Sequence, residues 1–153
     1  PQFFKTTFAN YELIASENDR IFEYENRIYR PFMTDQLLLK QLMTILFDNA
    51  IKYTEEDGKI EFVVHATDRH LYLTVTDNGI GISAPDKKKI FDRFYRVDKA
   101  RTRQKGGFGL GLSLAKQIVD ALRGTISVKD NKPKGTIFEV KIAIQSPSKR
   151  KNK

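Results

Sequence analysis

One stretch of the chain constrains its fold more than any other: residues 35–54, with the sequence DQLLLKQLMTILFDNAIKYT. Apolar residues recur there every three or four positions, which is the spacing of an amphipathic helix. They are Leu38, Leu39, Leu42, Met43, Ile45, Leu46 and Ala50. Asp35 stands in front of them as an N-cap, because its carboxylate can accept hydrogen bonds from the free amides of the first turn. The pattern therefore predicts one long helix that lies flat on a sheet.

An amide interrupts the apolar stripe near the end of this predicted helix. Asn49 follows Leu42 by seven residues, which places it on or beside the buried face. A buried amide without a hydrogen-bond partner is unfavourable, so a polar group must meet it. Two interpretations are open at this point. Either Asn49 bonds a neighbouring strand while Lys52 extends to water, or Asn49, Lys52 and Tyr53 face a polar ligand.

Composition and charge narrow the class of protein. The chain has 153 residues, of which 40% are hydrophobic. We therefore expect a single domain with a real core over residues 1–145 and a disordered basic tail over residues 146–153. The absence of cysteine excludes disulfides and thiolate metal sites. No apolar run reaches the length of a membrane span, the first residues lack a signal-peptide pattern, and the net charge of +8 favours anionic partners.

Shorter patterns predict the remaining elements. Further helices are expected at residues 10–17, 85–94 and 108–122, the last with Leu110, Leu114, Ile118 and Leu122 aligned. The predicted strands lie within residues 1–9 and at residues 20–25, 28–33, 59–67, 71–77, 125–130 and 135–144. Pro31 weakens the strand in which it lies. This order predicts an α+β fold: a two-layer α/β sandwich with a mixed, mostly antiparallel sheet and its helices on one side.

Residues 77–81 (DNGIG) close a predicted strand and form the first candidate for a ligand site. The carboxylate of Asp77 can accept a hydrogen bond from the exocyclic amine of a base. Gly79 and Gly81 lack side chains, so the backbone can approach a flat ligand and adopt unusual dihedral angles. The alternative is an ordinary turn after a strand, because Asp, Asn and Gly are common turn residues.

Residues 106–112 (GGFGLGL) open a predicted helix and form the second candidate. Glycines before a helix N-terminus make a phosphate cradle, because free amides point outward and the helix dipole favours an anion. The alternative is a flexible linker. Leu110 and Leu112 argue against it, since they lie among the glycines and an amphipathic helix follows at once.

Two familiar nucleotide motifs fail on this chain. Gly106 and Gly111 have P-loop spacing, but Leu112 stands where that motif requires Lys. The glycines of residues 79–84 match a dinucleotide fingerprint, but a short basic segment follows them where a full βαβ crossover is required. A metal site built on His65 and His70 is not expected either, because neither has a matching pair of ligands.

Residues 96–105 (RVDKARTRQK) lie between the two glycine stretches and carry five basic side chains and one acidic one. Such a loop can close over a polyphosphate. It can also be a solvated run of charges or a patch for nucleic acid. The preceding aromatic residues Phe91, Phe94 and Tyr95 can anchor the loop by packing or stack on bases.

Four short motifs occur in order along the chain: Asn49-Ala50-x-Lys52-Tyr53, Asp77-x-Gly79-x-Gly81, Phe91-x-x-Phe94-Tyr95 and Gly107-x-Gly109-Leu110-Gly111-Leu112. They resemble the N, G1, F and G2 boxes of the catalytic, ATP-binding domain of bacterial sensor histidine kinases. Gly135-Thr136-x-Phe138 resembles the last strand motif of that family. The resemblance covers residues 35–144. It implies the Bergerat sandwich shared with gyrase, the ninety-kilodalton chaperone and mismatch-repair ATPases, with ATP held between the long helix, the glycine loops and a mobile lid.

The resemblance implies roles at the phosphate end of the site. Asn49 would give its amide oxygen to Mg²⁺, which prefers oxygen ligands and keeps waters and phosphates as the others. Lys52 would meet phosphate, and Arg96 and Arg101 would reach it from the lid. Asn49, Lys52 and Arg96 are therefore the expected catalytic residues. The phosphate cradle would be formed by Gly107, Gly109, Leu110, Gly111 and Leu112.

The resemblance also implies roles at the adenine end. Asp77 would accept a hydrogen bond from the adenine amine, with Thr136 nearby and with Gly79 and Gly81 letting the backbone approach. Tyr53 and Ile82 would flank the ring. ATP and Mg²⁺ are thus the expected ligands.

Two features depart from the family pattern. Ile45 occupies a position where many histidine kinases have Asn and hydrolysing relatives have Glu. An alkyl group cannot activate water, which favours phosphoryl transfer over hydrolysis. In addition, neither His65 nor His70 lies in a motif of His followed by an acidic residue on a helix. The phospho-accepting histidine is therefore expected elsewhere in a larger protein.

The function implied by the resemblance is a kinase half-reaction of two-component signalling. The chain would bind Mg-ATP and donate the γ-phosphoryl group to a histidine on a separate dimerisation domain. That domain and a downstream response regulator are the expected partners, and no nucleic acid is expected. We expect a monomer for this chain, a homodimer for its parent, and a cytoplasmic position within a bacterial plasma-membrane sensor.

Three other functions remain open from the sequence. A non-catalytic nucleotide-binding sensor or scaffold of the same fold is the main alternative, and Ile45 favours it. A nucleic-acid-binding module would use the net charge and predicts binding that weakens steeply with salt. An ATPase similar to gyrase or the chaperone would turn over ATP by itself.

Overall fold

The protein is described by a computed structural model, which covers residues 2–87, 89–92 and 111–145. Within these ranges the elements are α1 (Gln2–Glu17), β1 (Ile21–Arg27), α2 (Gln36–Tyr53), β2 (Lys59–Ala66), β3 (His70–Asp77), α3 (Ala84–Lys87), α4 (Gly111–Ala121), β4 (Thr125–Asp130) and β5 (Thr136–Ala143). The strands form one sheet in the order β1-β2-β3-β5-β4. Only the β1–β2 pair within that sheet is parallel. The predicted sandwich with a mixed, mostly antiparallel sheet is therefore confirmed.

The core lies between the sheet and the helices. Alternate residues of the central strands are buried, as in the facing row Phe62, Val75 and Phe138. Residues of α1, α2 and α4 complete the same apolar cluster. Because the side chains of a strand alternate between its faces, the opposite face of the sheet is less buried and mixes polar residues such as Thr74 and Glu139 with apolar ones such as Val63.

The long helix is α2, and it follows the prediction closely. The side chain of Asp35 accepts a hydrogen bond from the amide of Leu38 at 3.0 Å, as expected of an N-cap. The buried residues of α2 are Leu39, Leu42, Met43, Leu46, Phe47 and Ala50. Leu38 and Ile45 pack at the edge of the core.

An aromatic cluster joins α1, β1, α2 and β2, and it comprises Phe4, Phe8, Tyr11, Phe22, Phe47 and Phe62. Tyr11 stacks on Phe47 with ring centroids 4.3 Å apart and an interplanar angle of 5°. Phe8 is fully buried and contacts four other members of the cluster. The hydroxyl of Tyr11 shares a hydrogen bond of 2.9 Å with that of Thr44, and burial raises the pKa of Tyr11 to about 12.

The prediction for the first residues was wrong. Residues 2–17 form one helix, whereas a strand was expected within residues 1–9 and a helix only at residues 10–17. The buried residues Phe4, Phe8, Tyr11 and Ala15 recur at helical spacing, so a single face of α1 packs on the core.

The strand predicted at residues 28–33 is also wrong. The side chain of Asn26 accepts a hydrogen bond from the amide of Ile28 at 2.9 Å, which turns the chain out of β1. Beyond it, only Met33 forms a bridge, to Gln145, and Pro31 cannot donate to a ladder. The partner of β1 is β2, in parallel, so α2 is the crossover between them.

The two helices predicted in the second half are only partly covered by the described residues. Helix α3 ends at Lys87, and Phe94 lies outside the described residues. Helix α4 is described over Gly111–Ala121, and its buried residues include Ala115, Ile118 and Val119, whereas Leu114 is 44% exposed. The predicted stripe was therefore correct at Ile118 and Leu122 and wrong at Leu114; Leu110 lies outside the described residues. No helix among the described residues has the length and apolarity needed to cross a membrane.

Candidate functional site

The site is built around a buried carboxylate at the end of β3. Asp77 is 3% exposed and lies between Ile60 of β2 and Thr136 of β5 in the sheet register. Burial raises its pKa to about 6, and hydrogen bonds from the amides of Gly79 and Thr136 partly oppose that rise. None of the ion pairs among the described residues involves Asp77. A carboxylate has about four lone-pair sites, so Asp77 keeps capacity to accept from a ligand donor.

The loop after Asp77 is fastened to the end of α2. The amide of Gly79 donates to the Asp77 side chain at 2.9 Å, and the amide of Ile80 donates to the carbonyl of Tyr53 at 3.1 Å. A Cβ atom at Gly79 would overlap that same Tyr53 carbonyl. The space beside Gly79 is thus occupied by the backbone of α2, so packing accounts for this glycine, where the sequence interpretation had invoked a flat ligand. Gly81 adopts φ +77°, which favours glycine.

The β4–β5 hairpin holds Asp77 from the other side. Gly135 adopts φ +113°, and a Cβ atom there would overlap the carbonyl oxygen of Asp77. The side-chain amide of Asn131 donates to that carbonyl at 2.9 Å, and the backbone amide of Asn131 donates to the carbonyl of Gly135 at 3.0 Å. Thr136 is buried beside Asp77, as the resemblance implied. Asn131 was missed because it acts across 54 residues, while the Gly-Thr-x-Phe motif contained the signal for Gly135.

The last turns of α2 carry the other predicted side chains. Asn49, Lys52 and Tyr53 are all half-buried there, and Asn49 and Tyr53 are one turn apart. Burial raises the pKa of Asp48, and the charge of Lys52 opposes that rise. Since the carbonyl of Tyr53 accepts from the loop after Asp77, the fold brings this end of α2 next to the residues predicted to bind adenine.

The N-terminus of α4 lies beside α2. A Cβ atom at Gly111 would be 3.7 Å from Cγ2 of Ile45, which is an ordinary contact. Ile45 precedes Asn49 by one helical turn, so the first described residue of α4 lies next to that part of α2. Leu112 and Ile82 are half-buried against the core.

Several predicted residues cannot be placed. Residues 93–110 and 146–153 lie outside the described residues, and with them the lid and the basic tail. The predicted site residues in this group are Arg96, Arg101, Gly107, Gly109 and Leu110. Phe91 is described, and it packs edge-on against Phe138 with ring centroids 6.3 Å apart.

The predicted metal ligand, Asn49, fits a metal ion that binds together with the phosphates of a nucleotide. The described residues contain no group of three or more His, Asp or Glu side chains that could hold a metal ion. Mg²⁺ is commonly bound through one or two protein oxygens together with waters and substrate phosphates. The single amide oxygen of Asn49 meets that requirement, and a protein cage is not needed.

Comparison with known proteins identifies the family of the chain. Residues 34–146 match a family model described as "Histidine kinase-, DNA gyrase B-, and HSP90-like ATPase". The chain is 82% identical over 149 residues to the sensor protein CiaH of Streptococcus pneumoniae serotype 4 (strain ATCC BAA-334 / TIGR4). That match covers 97% of this chain and 34% of CiaH, so the chain spans about a third of this curated relative.

Solved structures give the same result for the fold. The mycobacterial sensor histidine kinase MprB superposes with a TM-score of 0.75 at 25% identity, over 95% of both chains. The histidine kinase ThkA, solved in complex with the response regulator protein TrrA, superposes with a TM-score of 0.74 at 25% identity, over 97% of this chain and 41% of that one. With a family model that spans most of its length, the chain belongs to the histidine kinase-, DNA gyrase B-, and HSP90-like ATPase family.

Proposed function

We propose that the chain is the ATP-binding catalytic domain of a sensor histidine kinase, and that it donates the γ-phosphoryl group of ATP to a histidine on a separate domain. The observation that carries the proposal is the buried carboxylate of Asp77, which lacks a cationic partner among the described residues and lies between the end of α2 and two glycine-containing loops. A buried charge left in this state is unfavourable unless a ligand donor meets it.

An adenine amine is the donor that this position fits. The Asp77 oxygens can accept from the exocyclic amine, while the loop at residues 79–82 and the side chain of Tyr53 flank the flat ring. Because the carboxylate is already oriented by two backbone amides, little reorganisation is needed when the base binds. A guanine would present a carbonyl oxygen in place of the amine, and the acceptor-only carboxylate would repel it.

The triphosphate extends from the base toward Asn49, Lys52 and the N-terminus of α4. Mg²⁺ would be held by the Asn49 amide oxygen and would supply neutralisation of the phosphate charge. Lys52 adds a cation, and the free amides at Gly111 add a partial positive charge. We further propose that Arg96, Arg101, Gly107, Gly109 and Leu110 complete the phosphate contacts.

The transfer step forms a bond between an imidazole nitrogen and the γ-phosphorus and breaks the bond from that phosphorus to the β–γ bridging oxygen, which leaves with ADP. The domain contributes positioning and electrostatic stabilisation. Ile45 supports transfer over hydrolysis, because its alkyl side chain next to the start of α4 cannot activate water.

The proposed partners follow from the same reaction. The chain needs a histidine-bearing dimerisation domain as acceptor, and a response regulator would take the phosphoryl group from it. ThkA has been solved with such a regulator, which supports this kind of partner here. We propose that the parent protein is a homodimeric bacterial membrane sensor, with this domain in the cytoplasm and monomeric when separate.

Calorimetry with Mg-ATP tests the proposal. Replacing Asn49 by alanine should abolish the dependence of ATP affinity on magnesium, and Asp77→Asn should lower that affinity by about ten- to a hundredfold, because a charge-assisted hydrogen bond is lost. Asn10→Ala, on the exposed side of α1, is the matched control and should bind as the unmutated chain does. Equal affinity and equal magnesium dependence in all four proteins would exclude the proposed site. Transfer of labelled phosphate to an added histidine domain tests the kinase step.

A further inference from the structure

The last turn of α2 carries two of the proposed nucleotide contacts, Lys52 and Tyr53, and its position must therefore be fixed. A helix leaves its last four carbonyl groups without partners inside the helix. Unless other groups bind these carbonyls, the last turn frays and the side chains on it lose their position. Which groups bind the carbonyls at the end of α2 is thus a question about the nucleotide site.

The structure answers most of that question. The carbonyl of Ala50 accepts from the amide of Thr54 at 3.1 Å and from its hydroxyl at 2.9 Å. The carbonyl of Tyr53 accepts from the amide of Ile80 at 3.1 Å. The carbonyls of Ile51 and of the C-cap residue Thr54 both accept from one guanidinium. Nη2 of Arg20 lies 3.2 Å from the Ile51 oxygen and 2.5 Å from the Thr54 oxygen.

The same guanidinium binds two further groups. Nε of Arg20 donates to the hydroxyl of Thr54 at 3.0 Å, and Nη1 donates to the carbonyl of Asn18 at 2.7 Å. Arg20 itself lies in the turn between α1 and β1, where its amide donates to the carbonyl of Ala15 at 2.8 Å. One side chain therefore connects the end of α1 with the end of α2.

Backbone bonds reinforce this connection. The amide of Asp57, in the turn after α2, donates to the carbonyl of Asp19 at 2.7 Å, and the amide of Ile21 donates to the carbonyl of Gly58 at 2.8 Å. The turn after α2 is thus attached to the turn before β1 on both sides of Arg20. A movement of the Arg20 side chain would break hydrogen bonds to Ile51 and Thr54, which lie within one turn of Lys52.

The charge of Arg20 is directed at carbonyl oxygens. None of the ion pairs among the described residues involves Arg20. A cation at a helix C-terminus interacts favourably with the partial negative charge of the free carbonyls. The planar guanidinium can bond several acceptors in one plane, which an ammonium group cannot reproduce.

We propose that Arg20 is a positioning residue for nucleotide binding: it fixes the last turn of α2 and, through it, Lys52, Tyr53 and the attached loop at Ile80. This inference rests on the proposed ATP site. Arg20 itself touches no proposed ligand position. Its effect on affinity is transmitted by the helix end.

The first test needs no nucleotide. Hydrogen exchange on the chain alone should show the amides of Thr54 and Ile80 at least about tenfold less protected in Arg20→Ala than in the unmutated protein, because three hydrogen bonds to the end of α2 are lost. Arg30→Ala is the matched control. Arg30 makes an exposed ion pair with Asp68 at the other end of the sheet, so its removal should leave those amides unchanged.

The second test measures ATP affinity with chemical rescue. Arg20→Ala should bind Mg-ATP about tenfold more weakly, and millimolar ethylguanidinium should restore much of the loss while leaving Asn49→Ala unaffected. If Arg20→Ala does not fold, Arg20→Lys serves in its place, because lysine keeps the positive charge but lacks the planar set of donors of the guanidinium. ATP affinity and amide protection equal to those of Arg30→Ala would overturn the inference. If the unmutated chain fails to bind Mg-ATP, the proposed function is wrong, and the exchange comparison alone decides whether Arg20 holds the helix end.

Discussion

The aromatic cluster and the surroundings of Asp77 are built on opposite principles. In the cluster, apolar rings bury one another, and the only buried hydroxyl among them, that of Tyr11, has a partner in Thr44. At the end of β3, a carboxylate is buried without a cation, and two glycines let backbone segments approach more closely than any side chain would permit. The first region stabilises the fold, and the second carries the cost of a buried carboxylate, which we propose serves as a ligand acceptor. Substitutions in the two regions should therefore separate stability from binding.

The largest effect is expected in the aromatic cluster. Phe8→Ala should lower the free energy of unfolding by about 3–5 kcal/mol, because it removes a fully buried ring and leaves a cavity. The ATP affinity of the folded protein should change by less than about twofold, because none of the ring contacts of Phe8 among the described residues is with a proposed site residue. Urea denaturation and calorimetry measure the two quantities.

Phe8→Leu serves as the control for this prediction. It keeps most of the apolar volume and should recover more than half of the lost stability. A large loss of ATP affinity in folded Phe8→Ala would contradict the separation of the two regions.

The next effect concerns the contact between the β4–β5 hairpin and Asp77. Gly135→Ala should lower the free energy of unfolding by about 2–3 kcal/mol, because its Cβ overlaps the Asp77 carbonyl and its φ of +113° is unfavourable for alanine. Unlike Phe8→Ala, it should also weaken ATP binding, since the hairpin must move away from the carboxylate. Urea denaturation and calorimetry with Mg-ATP are the measurements.

Gly111→Ala is the matched control for stability. Its Cβ would make only an ordinary contact with Ile45, so the unfolding free energy should not fall. Stability of Gly135→Ala equal to that of the unmutated chain would show that the hairpin is not held as closely as described.

The smallest and most informative effect has the opposite sign. The folded-state pKa of Asp77 is raised to about 6, above that of the unfolded chain, so protonation favours the folded state. The associated stability is complete below about pH 4 and is lost as the pH rises through about 6, a difference of about 3 kcal/mol. Asp77→Asn removes this penalty but loses about 1 kcal/mol of hydrogen bonding, so it should stabilise the protein by about 1–2 kcal/mol at pH 7.5.

The gain of Asp77→Asn should disappear at pH 4, where the unmutated carboxyl is already protonated in the folded state. Urea denaturation at the two pH values checks this, and calorimetry should show that ATP binding weakens as stability rises. A variant that is less stable than the unmutated chain at pH 7.5 would mean that the carboxylate is well stabilised without ligand, and the contrast with the aromatic cluster would fail.

Affinity for ATP should also depend on the protonation of Asp77. Because the base amine binds the ionised carboxylate, affinity should fall as the pH drops below about 6. The γ-phosphate of ATP titrates in the same range, so adenosine is the appropriate probe. Asp77→Asn should show weak adenosine binding that is independent of pH between 5 and 7.5, and an equal pH dependence in both proteins would assign the titration to another group.

Much of the fold was predictable because it depends on local periodicity. The helix α2, its Asp35 cap and the buried rows of β2, β3 and β5 all follow from residue spacing. The predictions failed where tertiary contacts compete with local preference. Residues 2–9 contain several phenylalanines, which are compatible with a strand as well as with a helix. The helix forms because it packs these side chains against β1 and α2. At residues 28–33, a side-chain bond from Asn26 and the proline ended the pairing.

The motifs of the candidate site could be predicted from the sequence, but the residues that hold its loops and helix end in place could not. The family model confirms the resemblance from which the site was predicted, and the fold brings Tyr53, Asp77, Gly79 and Thr136 into neighbouring positions. The roles of these residues toward a nucleotide stay predictions, as do those of the lid residues. Asn131 and Arg20 carry no local signal, because an Asn in a turn and an Arg before a strand are common in any sequence.

The sequence by itself determined helix α2, the buried rows of β2, β3 and β5, and the family that the chain resembles, because each of these depends on the order and spacing of nearby residues. Only the tertiary structure decided that the guanidinium of Arg20, in the turn before β1, binds carbonyls at the end of α2. It also decided that the Tyr53 carbonyl leaves room only for a glycine at position 79, and that Asn131 and Gly135 contact the Asp77 carbonyl. The physical reason is that these contacts join residues 26 to 58 positions apart, so they exist only after the sheet has brought the segments together.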